Sequence, residues 1–274
     1  MLTLINGAPG DCLPVTDRGL QYGDGLFETI AVHHGEPHLW ARHMQRLAAG
    51  CERLGLPRPD TEQLAAEVRR VADDRERLVV KIIVTRGSGA RGYRPTTGGS
   101  AARIVQALPW PEFPDFAAHS GIPVRWCQTR LAPQPRLAGL KHLNRLEQVL
   151  ARAEWQDEWL EGLMCDPDGN VVEGTMSNVF LVQGGTLITP DLSQSGAAGV
   201  MRAAVLDLAE AQGIRCSVQP VTVSMVERCE ELFVTNSLIG IWPVARLESR
   251  TFPANRAITR MLQAGLPGAT ESRA

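Results

Sequence analysis

Two lysines carry the first chemical suggestion in this chain. It holds 28 basic lysine and arginine residues, and only Lys81 and Lys141 are lysines; the other 26 are arginines. Arginine stays protonated and forms no imine, whereas a lysine amine can lose its proton on burial and attack a carbonyl. Lys141 follows the Pro/Gly-punctuated run Ala132-Pro-Gln-Pro-Arg-Leu-Ala-Gly139 and precedes a long helical pattern, which puts it at the mouth of a helix. The count alone fits a compositional bias with Lys141 on the surface. Only its surrounding motif reverses that reading. Lys81 lies in the middle of the apolar run Leu78-Val-Val-Lys-Ile-Ile-Val84. Burying an unpaired amine there costs several kcal/mol, so Lys81 is expected to meet an anion, internal or bound.

Other arrangements carry less. Gly87-Ser-Gly-Ala-Arg-Gly92 has the glycine spacing of a dinucleotide fingerprint, but no helix opens after it and Glu112 is the first acid beyond it. A Rossmann site is therefore rejected. A mobile loop offering Arg91 and Tyr93 is the reading preferred, with an inert surface loop close behind. His33, His34, Glu36 and His38 crowd one tight turn with no second ligand group, so they read as solvated turn residues and no metal is expected. Glu173 beside Gly174-Thr-Met-Ser-Asn178 could be an ordinary cap, and Arg46 on a helix could simply reach solvent.

The elements that must position these residues follow from composition and pattern. A chain of 274 residues is comfortable for two domains. A net charge of -2 offers no basic face to nucleic acid and no charge block for a membrane surface. Partners are expected to be small molecules or a second copy. Six scattered cysteines without C-x-x-C spacing, and a start lacking a secretory pattern, read as reduced thiols in the cytoplasm. No run of about 18 apolar residues is present to span a bilayer.

Strands are expected over 2–5, 26–33, 78–84 and 102–108, with helices over 38–56 and 61–74, the latter capped by Asp60. Pro109-Trp-Pro-Glu-Phe-Pro114 cannot continue a helix or central strand, which gives domains at 1–108 and 118–274 joined by a linker at 109–117. Beyond it come a strand over 122–129, a helix over 143–157, and hairpins turning at Asp168-Gly169 and Gly184-Gly185. A helix opened by Gly199 runs to about Gln212. Short strands follow over 216–220, 231–235 and 239–244, then a helix over 255–262. The class is α+β, two mostly antiparallel sheets with packed helices.

Six segments stand in register with a known family: Tyr22-Gly-Asp-Gly-Leu-Phe-Glu-Thr29, His43-Met-Gln-Arg-Leu47, Gly139-Leu-Lys-His-Leu-Asn144, Val172-Glu-Gly-Thr-Met-Ser-Asn-Val-Phe180, Gly199-Val-Met-Arg202 and Val234-Thr-Asn-Ser237. In order and content they resemble the fold-type IV pyridoxal-phosphate enzymes, which include branched-chain and D-amino-acid transaminases and 4-amino-4-deoxychorismate lyase. The resemblance fades after about Ser249. Arg86-Gly-Ser-Gly-Ala-Arg-Gly-Tyr93 and the run 137–150 look specifically like the lyase branch.

The resemblance implies a two-domain fold, a homodimer, pyridoxal 5'-phosphate as cofactor, and roles for particular residues. Lys141 resembles the lysine that joins the cofactor aldehyde and then moves the substrate proton. Glu173 resembles the carboxylate facing the pyridine nitrogen, and Arg46 the arginine that grips the phosphate. The backbone N–H groups of Val200 and Met201 at a helix start, with the Ser237 hydroxyl, would bind the same phosphate. Lys81 and Arg91 would meet a substrate carboxylate. Thr29, with Tyr93 second, would protonate the departing enol. The reaction implied is imine exchange, proton abstraction and elimination, giving 4-aminobenzoate and pyruvate for folate synthesis. A transaminase of the same fold and a non-catalytic binding protein of this fold are the alternatives.

Overall fold

The computed structural model describes residues 1–72, 75–95 and 100–266, and the chain divides into two compact units. The first unit comprises Met1–Glu112 and Leu140–Asn144. It is built on six antiparallel strands, β1 (Thr3–Ile5), β2 (Ala8–Pro9), β3 (Gly25–His33), β4 (Glu36–Pro37), β5 (Arg77–Thr85) and β6 (Ala102–Pro109), in the order β2-β1-β6-β5-β3-β4. β3 and β5 pair along their whole lengths, from Gly25 opposite Thr85 to His33 opposite Arg77. On β3 the residues Leu26, Glu28, Ile30 and Val32 are buried, while Phe27 and Thr29 between them are half-buried. Strand periodicity therefore splits the functional residues of one short segment between two faces of the sheet.

Among the described residues of this unit the helices are α1 (Arg18–Tyr22), α2 (Trp40–Leu54) and α3 (Thr61–Ala72). α2 buries His43, Met44, Leu47, Gly50 and Cys51 at helical spacing and packs on β3. A Cβ on Gly50 would stand 2.8 Å from Leu26 Cδ1, so glycine is what lets the helix lie this close. The helix opens two residues later than the pattern suggested, because Leu39 takes a left-handed conformation at φ 53. Gly55, at φ 61, closes it before Pro57 is reached. Asp60 caps α3 as expected, its carboxylate accepting from the Gln63 amide at 2.9 Å. The expected helix end at Asp74 lies outside the described residues. α1 occupies part of what the sequence suggested was a loop. The Asp17 carboxylate accepts from the Gly19 and Leu20 amides at its start, and Gly23 stops it at φ 64. Five residues are too few to show a helical period.

The change of unit falls between Glu112 and Phe113, within the proline-rich run. Leu140–Asn144, which the sequence reading assigned to the C-terminal domain, groups with the first unit. This segment is extended rather than helical. The Phe27 amide donates to the Lys141 carbonyl at 3.0 Å, the Leu143 amide donates to the Gly25 carbonyl at 3.0 Å, and His142 forms a bridge with Leu26. Those bonds delay the following helix, α4, to Leu146–Arg152 in place of the expected 143–157. Lys141 thus sits on a bridge segment paired with β3, not in a helix mouth.

The second unit comprises Phe113–Gly139 and Arg145–Ala274. Its strands are β7 (Ile122–Trp126), β8 (Glu161–Cys165), β9 (Asn170–Gly174), β10 (Asn178–Gln183), β11 (Thr186–Pro190), β12 (Cys216–Gln219), β13 (Val221–Thr222), β14 (Glu231–Asn236), β15 (Gly240–Leu247) and β16 (Arg250–Thr251). They form one sheet in the order β12-β11-β10-β14-β15-β7-β8-β9-β13, with β16 on β15. The expected antiparallel character holds for most pairs, but β11 with β12, β15 with β7 and β7 with β8 are parallel. Both expected hairpins form, with Gly169 at φ 83 and Gly184 and Gly185 at φ 56 and 70. α5 (Val200–Ala211), α6 (Val223–Arg228) and α7 (Ala257–Gly265) complete the unit. Stacked Phe180 and Phe233, ring centres 5.0 Å apart, mark its core. Among the described residues no helix is long and apolar enough to cross a membrane.

Candidate active site

The candidate residues fall into two sets, one in each unit. In the first unit, the Lys141 ammonium lies 4.3 Å from the centre of the Phe27 ring, and the Lys81 ammonium lies 5.4 Å from the same centre. Lys81 stands directly opposite Thr29 across β5 and β3, and both are half-buried. Pairing with β3 therefore gathers the only two lysines and a hydroxyl about one aromatic ring, since opposed residues share a sheet face.

On the opposite face of β3, Glu28 accepts from Arg46 through both oxygens, Nε to Oε1 at 2.9 Å and Nη2 to Oε2 at 2.5 Å. His43 Nδ1 stands 2.6 Å from Glu28 Oε2. Burial pushes the Glu28 carboxyl up, but Arg46 and His43 outweigh it and hold the group below its ordinary range. Burial likewise lowers His43, against the hydrogen bond from Glu28, with Arg46 and Lys141 adding to the lowering. His43 is thus a neutral imidazole donating Nδ1–H to a carboxylate, with Nε2 buried and without a hydrogen-bond partner among the described residues.

The loop bearing Arg91 and Tyr93 is held at its backbone. Arg18 donates to the Gly92 carbonyl at 2.8 Å and to the Tyr93 carbonyl at 3.3 Å, while the Gly92 amide donates to the Tyr22 hydroxyl at 3.1 Å. Arg18 itself is pinned by Asp24, which also takes Arg86. The side chains are differently placed: Arg91 is exposed, and Tyr93 is 87% exposed with its ring edge against Tyr22.

In the second unit, Glu173 on β9 is buried, with Oε2 accepting from the Ala197 amide at 2.8 Å and Oε1 from the Gln148 side chain at 3.2 Å. The segment after it is organised by Glu161. That buried carboxylate accepts from the Gly162, Thr175 and Met176 amides and from the Thr175 and Ser177 hydroxyls. Burial still raises the Glu161 carboxyl above its ordinary value against those bonds. A Cβ on Gly174 would stand 2.7 Å from the Glu161 carboxyl carbon, so only glycine lets the turn close on it.

Val200 and Met201 open α5 as expected. The N-cap is Gly199, with no side-chain hydrogen bond to the first amides. A Cβ at Gly199 would come within 2.0 Å of Asn178 Oδ1. The helix start thus carries no side-chain cap from its N-cap residue, and the leading N–H groups of a helix are donors suited to an anion. Ser237 lies half-buried in the turn after β14, where Asn236 Oδ1 accepts from the Leu238 and Ile239 amides.

Two units of this topology, a lysine on a bridge segment and a bare helix start define a recognisable class. Residues 25–247 match the family described as amino-transferase class IV, and the chain belongs to that family. More particularly, it is 34% identical over 267 residues to the aminodeoxychorismate lyase of Vibrio harveyi, covering 96% of this chain and 98% of that one. A crystal structure of 4-amino-4-deoxychorismate lyase from Pseudomonas aeruginosa superposes with a TM-score of 0.92 at 48% identity, covering 96% and 97% of the two chains. The branched-chain amino acid aminotransferase of Escherichia coli matches at a TM-score of 0.84 and 25% identity, covering 96% and 92%. The fold implied by the resemblance is the one observed.

The sequence reading missed three supports. Glu28 stood within a recognised segment but was given no role; its two-residue offset from Leu26 and Ile30 was the available signal for a buried acid. His43 was noted only as a neighbour of Arg46, three positions away on the same helix face. Glu161 had no local signal, because all its donors except the adjacent Gly162 amide come from 14 to 16 residues further along.

Proposed function

We propose that this chain is a pyridoxal-phosphate-dependent lyase that converts 4-amino-4-deoxychorismate to 4-aminobenzoate and pyruvate, acting as a homodimer. The observation that carries the reading is the Phe27 grouping, in which the amine of Lys141, a second cation at Lys81 and the Thr29 hydroxyl meet on one sheet face, in a chain related to lyases of that name.

The residues present fit the cofactor. In the second unit the α5 start offers amides with no side-chain cap from Gly199, which suits a phosphate, and in the first unit Glu28 fixes the orientation of Arg46, a donor suited to the same group. Glu173 is a buried acceptor suited to a protonated ring nitrogen, and Ser237 adds a hydroxyl. When bound, pyridoxal phosphate supplies an aldehyde for imine formation and a ring that accepts electron density.

Lys141 would provide the amine that holds the aldehyde, and the same amine would take the proton from the substrate carbon that bears the amino group. Lys81 and Arg91 bind substrate carboxylate. Thr29 hands a proton to the methylene carbon of the departing enolpyruvyl group. Its half-buried place opposite Lys81 supports it over Tyr93, whose ring lies outward on Tyr22. Aromatisation of the substrate ring drives the elimination.

The test is to load the purified protein with pyridoxal phosphate, add aminodeoxychorismate, and follow fluorescent 4-aminobenzoate together with pyruvate. Equal release of both is expected. Amino transfer to 2-oxoglutarate without 4-aminobenzoate would replace the lyase with a transaminase, and a protein that develops no visible band would remove the cofactor chemistry.

A further inference from the structure

Lys81 belongs to a polar row that crosses the first sheet. Thr3 on β1 faces Gln106 on β6, Gln106 faces Lys81 on β5, and Lys81 faces Thr29 on β3. Opposed residues of antiparallel strands carry their side chains on one face with Cβ atoms about 5 Å apart. The neighbouring rows on that face are apolar: Ile5, Ile104, Ile83 and Phe27 on one side, Leu108, Val79 and Ala31 on the other. All four members of the polar row are half-buried. The side chains of Lys81, Gln106 and Thr29 make no hydrogen bond or ion pair with a described residue, and the Lys81 ammonium has only the Phe27 ring. A cation and an amide grouped between apolar rows without internal partners, their polar atoms not closed off from solvent, are donors placed to pair with a group from outside the chain.

We infer that Gln106 is a substrate-binding residue. Its side-chain N–H donates to the carboxylate that Lys81 takes as an ion pair, so the two form one carboxylate subsite on the sheet face. The inference rests on the proposed reaction, because the carboxylate is the substrate's own. It also adds a substrate class. The Lys81 and Lys141 ammonium groups lie 5.4 and 4.3 Å from the centre of the same Phe27 ring, and the subsite beside them is assigned to an amine whose carboxylate is carried across a ring, not on the adjacent carbon as in an α-amino acid.

The experiment compares holoenzyme with Gln106→Leu and the near-isosteric Gln106→Glu. Losing one hydrogen bond to a charged group raises KM for aminodeoxychorismate about tenfold in the leucine variant. A like charge in its place raises KM on the order of a hundredfold. kcat and the visible cofactor band should change little. In parallel, the preference of the holoenzyme for 4-aminobenzoate over its neutral amide, measured as equilibrium binding, should shrink in both variants. An unchanged KM and an unchanged preference would overturn the inference, as would a fall in kcat and in the band with KM constant. If wild type forms no 4-aminobenzoate, the reaction itself is wrong; the binding preference then still reports on the subsite.

Discussion

Glu28 holds Arg46 by both carboxylate oxygens, at 2.9 and 2.5 Å, with the acid 1% exposed and the arginine 14%. The fork-to-fork contact fixes the plane of the guanidinium. Removing one partner of such a buried pair leaves an uncompensated charge, at a cost of about 3–5 kcal/mol. Glu28→Ala is therefore expected to lower the unfolding free energy by that order in denaturant titration of the cofactor-free protein, and to weaken retention of pyridoxal phosphate. Wild-type stability in the variant would show the pair to be incidental.

His43 makes stability depend on pH in a defined direction. Its folded value lies below the ordinary 6.5, so on acidification the unfolded chain binds the proton first. Stability should fall as pH drops below about 6.5, with a slope of at most about 1.4 kcal/mol per pH unit for one proton. Glu28 adds a second loss. Its folded value lies below 4.5, so its contribution is present above that pH and disappears as the pH falls through the depressed value. In His43→Gln the first decline should flatten while the second remains, and melting temperatures across that range would show it.

Lys141→Arg keeps the charge but cannot form an imine. We expect no turnover and no visible band sensitive to borohydride, with the melting temperature of the cofactor-free protein nearly unchanged because the bonds to Phe27 and Gly25 are made by the backbone. Measurable 4-aminobenzoate formation by this variant would remove Lys141 from the chemistry.

Gly199→Ala is expected to damage the phosphate end. The added methyl would come within 2.0 Å of Asn178 Oδ1, so either the Asn178 side chain gives up its hydrogen bond to the Ala197 carbonyl or the start of α5 shifts. Cofactor affinity should drop at least tenfold, and Asn178→Gly introduced with it should restore much of the loss. The readout is a fluorescence titration with pyridoxal phosphate. No recovery in the double variant would place the damage elsewhere.

Much of this architecture was legible from pattern. The alternation in 26–33 and 78–84 gave β3 and β5, and Gly199 gave the start of α5. The segment around Lys141 was misread because its conformation is set by hydrogen bonds to Gly25 and Phe27, more than 110 residues earlier, which no local period can reveal. Lys81 stood out as a cation inside an apolar strand, and the fold sets it beside the Phe27 ring. The adjacency of Gln106 to Lys81 carries no sequence signal, because pairing across a sheet depends on register and not on sequence distance. The hold on the Gly92–Tyr93 backbone by Arg18 is likewise invisible without the fold, since the partners are 74 and 75 residues apart.

The contribution of Leu140–Asn144 to the first unit has a consequence for dividing the molecule. A fragment ending at Glu112 would lose Lys141 and also the neighbour that satisfies the Phe27 amide and the Gly25 carbonyl, leaving a raw edge on one of its two nine-residue strands. The two halves are therefore not interchangeable modules: a gene cut at the proline-rich run would encode neither a finished sheet nor a finished catalyst.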